Sequence, residues 1–257
     1  MTSLASSVAA PSFGDKSAEL HFENAGQIIR MIEDVNATWL SGVLGAQVLN
    51  FNFKRIGTGQ VSFCFRSEIE YADGDSGPPS VVLKLASDDI DSRTSARMLA
   101  LYQREVLFYL EAAPKIPRGP IAQVYHTSYD EKDDTCCILL EDLSPCIAGN
   151  DIEGCTLEQA KLAMKALGKI HAPFIGNAEF EAKPWLKLPT QLPPAMFEAL
   201  GKEFLQTYDE RIKPEHQDIV RKLIAGYEGY QADSSKLGPM GVVRGSNRRL
   251  ISSIHAP

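Results

Sequence analysis

The chain has 257 residues, a net charge of −7, a hydrophobic fraction of 44% and five cysteines. That length fits one large domain or two lobes sharing a cleft. An acidic balance without a long cationic stretch argues against nucleic acid or a membrane surface as partner, and the lack of a run of about 18 apolar residues excludes a spanning helix.

Cys64, Cys136, Cys137, Cys146 and Cys155 are odd in number and make no C-x-x-C pair. Neither a disulfide framework nor a zinc site is signalled, and a reducing, cytoplasmic setting fits. Residues 1–12 are rich in serine and alanine and lack the basic and apolar parts of a secretory signal. A disordered tail is expected over 1–24.

From 25 to 44 apolar side chains recur at helical spacing (Ile28, Ile29, Met31, Ile32, Val35, Trp39, Leu40, Val43), which predicts one or two short helices packed on a lobe. Residues 47–55 alternate as a strand (Leu49, Phe51, Phe53). Gly57 and Gly59 turn the chain back into a second strand over 61–66, giving a hairpin with the glycines at its tip. A polar cluster over 71–79 leads into a short apolar strand, 80–85, that contains Lys84. The period then changes. Ala96, Leu99, Ala100, Val106, Phe108, Tyr109 and Leu110 predict one long helix over 92–112, carrying Glu105 and stopped by Pro114 and Pro117.

Two strand-like runs, 122–129 and 135–140, flank an acidic segment (130–134) expected to be a solvated turn. The second run ends in Glu141-Asp142-Leu143-Ser144-Pro145, a polar connector of the kind a hinge requires. Helices dominate beyond it. The 156–171 segment opens with a capping-box pattern, Thr156-Leu157-Glu158-Gln159, and carries Leu162, Ala163, Ala166, Leu167 and Ile170 on one face. A proline-rich connector (184–194) precedes helical patterns over 195–208 and 214–230. Strands first and helices second predict an α+β fold in two lobes. The expected division is a tail at 1–24, a β-rich N-lobe at 25–143 and a partial helical C-lobe at 144–257. Gly241-Val242-Val243 reads as a strand, whereas the tail from Arg244 shows no clear period and no core face.

Three features carry chemistry. Gly57 and Gly59 let the backbone approach a ligand and aim N–H groups at phosphate oxygens, although Ser62 stands where a third glycine would complete G-x-G-x-x-G. Lys84 could be a solvated lysine, but Val81, Val82, Leu83 and Leu85 around it suggest a covered strand, where an unpaired ammonium is costly. A buried partner is therefore expected. Glu105 alone reads as an exposed helix residue, and pairing with Lys84 is what would set it apart. His171 reads as a helix C-terminal residue without a chemical role. Cys136 and Cys137 read as small hydrophobes in a strand. Ser246 with His255 lacks an orienting acid at recognisable spacing, which disfavours a hydrolase.

In this order the marks resemble those of the aminoglycoside phosphotransferase and choline kinase superfamily, and within it the ecdysteroid-kinase-like, or CHK-kinase-like, group. The quoted residues are Arg55-Ile56-Gly57-Thr58-Gly59-Gln60-Val61, Val82-Leu83-Lys84, Arg104-Glu105-Val106-Leu107-Phe108-Tyr109, Leu139-Leu140-Glu141-Asp142-Leu143 and Leu167-Gly168-Lys169-Ile170-His171-Ala172-Pro173-Phe174. The resemblance implies a protein-kinase-like fold that uses ATP and magnesium to phosphorylate a hydroxyl of a small-molecule alcohol. It implies that Gly57 and Gly59 cover the phosphates, Lys84 holds them, Glu105 orients Lys84, and the backbone of Glu141, Asp142 and Leu143 meets the adenine.

In such kinases catalysis comes from a histidine-glycine-aspartate-x-x-x-x-asparagine loop and a later metal-binding aspartate. Laid on this chain, the loop puts Arg244 at the histidine, Gly245 at the glycine, Ser246 at the catalytic aspartate and Ile251 at the metal-binding asparagine. A serine hydroxyl is no base without a partner to activate it, and isoleucine offers magnesium no oxygen. The expectation is a kinase-family chain truncated or frame-shifted before its catalytic loop. The alternatives are a nucleotide-binding pseudokinase and a non-functional fragment.

Overall fold

The structure, a computed structural model, describes residues 29–235 apart from 58, 60, 147, 148, 150, 151, 188–191 and 209. The expected N-terminal tail and the tail from Arg244 lie outside the described residues. A 3-10 turn, Ile32–Asp34, precedes α1 (Ala37–Leu44), whose first turn is capped by the Asn36 side chain accepting from the Trp39 N–H. Strands β1 (Val48–Phe51), β2 (Lys54–Ile56), β3 (Ser62–Tyr71) and β4 (Ser80–Ala86) follow. After them come α2 (Ile90–Met98) and α3 (Leu101–Leu107), then β5 (Val124–Asp130) and β6 (Thr135–Glu141). The helical part holds α4 (Leu157–His171), α5 (Ala178–Glu181), α6 (Pro194–Tyr208) and α7 (Pro214–Ser235).

The six strands form an antiparallel sheet in the order β1-β3-β4-β6-β5, with β2 also on β3. Alternation along the strands sorts side chains between two cores. Val81, Leu83 and Leu85 of β4 join Cys137 and Leu139 of β6 on the face covered by Trp39, Leu40 and Val43 of α1. Each such fully buried side chain contributes about 1.5–3 kcal/mol. Cys136 and Ile138 face the other way, onto Tyr102, Val106 and Tyr109. The same core takes in Ile170, Phe174, Phe180 and Trp185 from the helical part. Strand-rich first half, helical second half and a shared core make this an α+β, kinase-like two-lobed fold.

Several expectations need correction. The single strand over 47–55 is two: β1 pairs with the far end of β3 (Val48 with Tyr71) and β2 with its middle (Lys54 with Arg66). Between them the Asn52 N–H donates to Ser67 Oγ, a detour that leaves the alternation almost intact. The long helix over 92–112 is broken at Ala100, which sits at φ 49, and beyond α3 it passes through a π-helical turn, Phe108–Ala112, into a 3-10 turn, Ala113–Lys115. The acidic segment is only partly solvated: Asp130 pairs with Arg30 at 2.8 Å, and buried Asp134 accepts from the Tyr129 hydroxyl at 2.7 Å. On α4 the expected capping box forms between Thr156 and Gln159, and Ile170 of its apolar face is buried. Among the described residues no helix is long and apolar enough to cross a membrane.

Candidate functional site

Register builds the site. Ile56 lies opposite Cys64, Cys64 opposite Lys84, and Lys84 opposite Ile138, so one row of side chains runs across β2, β3, β4 and β6. Ile56 is the last residue of its strand, and Gly57 follows at φ 69, a left-handed conformation that glycine adopts without strain. The glycine turn thus begins two strands away from Lys84. Gly59 is half-buried in the same turn, while Thr58 and Gln60 lie outside the described residues. The stem carries an unforeseen contact, the Arg55 guanidinium 3.7 Å from the centroid of the Phe63 ring.

Period-2 alternation turns Lys84 away from the α1 face, toward α3. There its ammonium donates to both Glu105 oxygens, each at 2.6 Å. The side chains retain 14% and 9% of their exposure, so the expected buried partner of Lys84 is present. Burial pulls the Lys84 pKa down, but the charge of Glu105 and its hydrogen bond outweigh that effect and hold it above the ordinary 10.5. The cation is permanent at any physiological pH. Around the pair the side chains are sealed: burial pushes the Cys136 thiol well up, and burial with the Glu105 charge does the same to the Tyr109 phenol.

Tyr102, which carries no motif, organises the surroundings. Its hydroxyl donates to the Val61 carbonyl just after the glycine turn and accepts from the Ser87 N–H at 3.3 Å. Loop, strand β4 and the Glu105 helix therefore meet at one phenol. Burial moves its pKa up to about 12, so it remains a donor. A tyrosine between Leu101 and Val106 in an apolar helical pattern looks like ordinary core, and no sequence signal distinguishes it.

Glu141, Asp142 and Leu143 close β6. Opposite Glu141 lies Val81, three residues along β4 from Lys84, or roughly 10 Å of strand. Both carboxylates are committed to structure. Glu141 accepts from the Gln123 N–H at 3.0 Å while its own N–H donates to the Gln123 carbonyl at 2.8 Å. Asp142 accepts from Ser80 Oγ at 2.8 Å and pairs with Arg66 at 3.1 Å. The Leu143 carbonyl accepts from the Cys146 N–H at 2.8 Å. Ser246 and Ile251 lie outside the described residues.

Away from these residues a concavity of about 450 Å³ opens between α6 and α7, lined by Glu198, Lys202, Arg221, Ile224, Tyr227 and Glu228. Lys202 is paired with Glu198 at 2.7 Å, and the lining sets two cations, Lys202 and Arg221, against two carboxylates, Glu198 and Glu228, so this groove presents no concentrated charge. Among the described residues no group of three His, Cys, Asp or Glu side chains is arranged to hold a metal ion.

The geometry therefore consists of a glycine turn, a buried lysine cation and a helix carboxylate that orients it. Residues 57–240 match the ecdysteroid kinase-like family. The chain belongs to that family. Ecdysteroid kinase-like proteins form part of the wider superfamily of kinase-like small-molecule phosphotransferases, and the match begins at Gly57 and takes in Lys84, Glu105 and the end of β6. No curated protein matches the chain.

Proposed function

We propose that the chain binds ATP, with Gly57 and Gly59 over the phosphates, Lys84 holding them, Glu105 orienting Lys84 and the backbone of Glu141, Asp142 and Leu143 against the adenine. The observation that carries this reading is the buried Lys84–Glu105 pair. A charged pair taken out of water is a costly way to stabilise a fold, because apolar residues of similar volume do as well or better. Its value lies in presenting a fixed, permanently protonated ammonium beside a glycine turn, where it meets an anionic ligand.

The acceptor, on the family's chemistry, is a hydroxyl of a small-molecule alcohol. This chain carries Ser246 where the resembling kinases have the catalytic aspartate and Ile251 where they have a metal-binding asparagine. We therefore read the chain as a nucleotide binder that transfers no phosphoryl group, with lobes over 25–143 and 144–257. Its free cysteines support a reducing, cytoplasmic setting.

Thermal unfolding with and without ATP tests the reading. ATP should raise Tm through linkage, magnesium should add little, and Lys84→Met should abolish the rise. An unshifted Tm at millimolar ATP contradicts nucleotide binding. ATP-dependent phosphorylation of any hydroxylated metabolite by this chain contradicts the role assigned to Ser246.

A further inference from the structure

The helix that carries Glu105 does not hold itself. α3 spans seven residues, its N-cap Ala100 is left-handed, and no side chain caps its first turn. So short a segment is marginal without tertiary contacts. Its apolar face packs on β6 through Tyr102 and Val106, against Cys136 and Ile138, and the Tyr102 hydroxyl adds a polar contact on the glycine-turn side. A further polar contact lies past the C-terminal end of α3, in the π-helical turn, the kind of irregularity where a helix changes register and where functional sites gather.

Glu111 of that turn takes a hydrogen bond and an ion pair on one oxygen. Trp185 Nε1–H donates to Oε2 at 3.0 Å, and the Lys183 ammonium pairs with the same atom at 3.0 Å. Both donors belong to the helical part of the chain. Trp185 is buried, stacked edge-on against Phe180, which in turn packs on Phe174. An aromatic block from the second half thus ends in two donors that grip the helix of the first.

We propose that Glu111, Lys183 and Trp185 are positioning residues: they fix the register of the Leu101–Lys115 stretch and so hold Glu105 against Lys84. The inference rests on the nucleotide reading for its functional meaning. A need to satisfy a buried indole N–H would explain Trp185 alone. It does not explain the added lysine on the same carboxylate oxygen, or why the acceptor sits in the π turn that continues the Glu105 helix.

The test is amine acylation of the full chain, read by mass spectrometry at Lys84, with exposed Lys222 as internal control. Glu111→Gln and Trp185→Phe should each raise Lys84 labelling about tenfold, the factor equivalent to about 1.4 kcal/mol of lost hydrogen bonding. Lys222 should not change, and the conservative Lys183→Arg should label like the parent. Unchanged Lys84 labelling in both variants overturns the proposal. So does a uniform rise at every lysine with a collapsed Tm, which marks a merely structural role. The ATP-induced Tm rise is recorded on the same samples: its absence in the parent chain removes the nucleotide reading, while labelling still decides the tether.

Discussion

Lys84 and Glu105 meet symmetrically, the ammonium 2.6 Å from each carboxylate oxygen, although they come from a strand and a helix separated by 21 residues. Both side chains are largely withdrawn from water. Removing one partner leaves a buried, uncompensated charge, so Lys84→Met or Glu105→Leu alone should cost about 3 to 5 kcal/mol, whereas the double variant should regain most of that loss. Urea unfolding of the four proteins closes the cycle, and simple additivity would rule out the coupling.

The same pair sets an alkaline limit. Because Lys84 has a folded pKa above 10.5, its contribution is complete below that value and is lost as pH rises through the folded pKa. The stability gap between the parent chain and Lys84→Met should stay constant up to pH 10.5 and narrow above it. A gap that narrows from neutral pH would mean that the ammonium is not protected.

His126 should govern the acid limb. Its ring is buried edge-on to Trp39 with Nε2 3.4 Å from Ser128 Oγ, and burial lowers its pKa from 6.5 to about 4. The unfolded chain takes up a proton here between pH 6.5 and about 4 while the folded chain does not. Stability therefore falls across that window, by about 3 kcal/mol, and this contribution levels off below it. His126→Phe should flatten that part of the curve in chemical denaturation, and an unchanged slope would assign the acid sensitivity elsewhere.

Tyr102→Phe removes only the hydroxyl shared by Val61 and Ser87. The expected stability cost is about 1 to 2 kcal/mol. The sharper readout is hydrogen exchange: amides of the glycine turn should exchange faster while those of β5 and β6 hold their rates.

How much of this was legible depends on the range of the interaction involved. The apolar run on both sides of Lys84 in β4 is a local pattern, and it indicates a covered lysine that needs a partner, which Glu105 supplies. Ala100 left no trace, because a left-handed alanine costs only about 1 to 2 kcal/mol and the apolar period runs straight through it. Asp134 reads as a solvated turn residue until Tyr129 is folded over it. Trp185 and Glu111 stand 74 positions apart, and no composition or spacing rule joins them. The flank of α4 shows a limit of the same kind: periodicity says which residues share a face, and only the neighbours say whether that face is covered.

The unequal burial of the cysteines makes the chain its own folding gauge. Cys155 is exposed, Cys64 and Cys146 are half-buried, and Cys136 and Cys137 are sealed in β6. A thiol-reactive dye should therefore attach in steps: at once to Cys155, more slowly to the half-buried pair, and to the β6 thiols only when the sheet itself opens. Because Cys64 lies next to Lys84 in the row across the sheet, its reaction rate also reports whether a bound ligand shields the site, with no need for turnover.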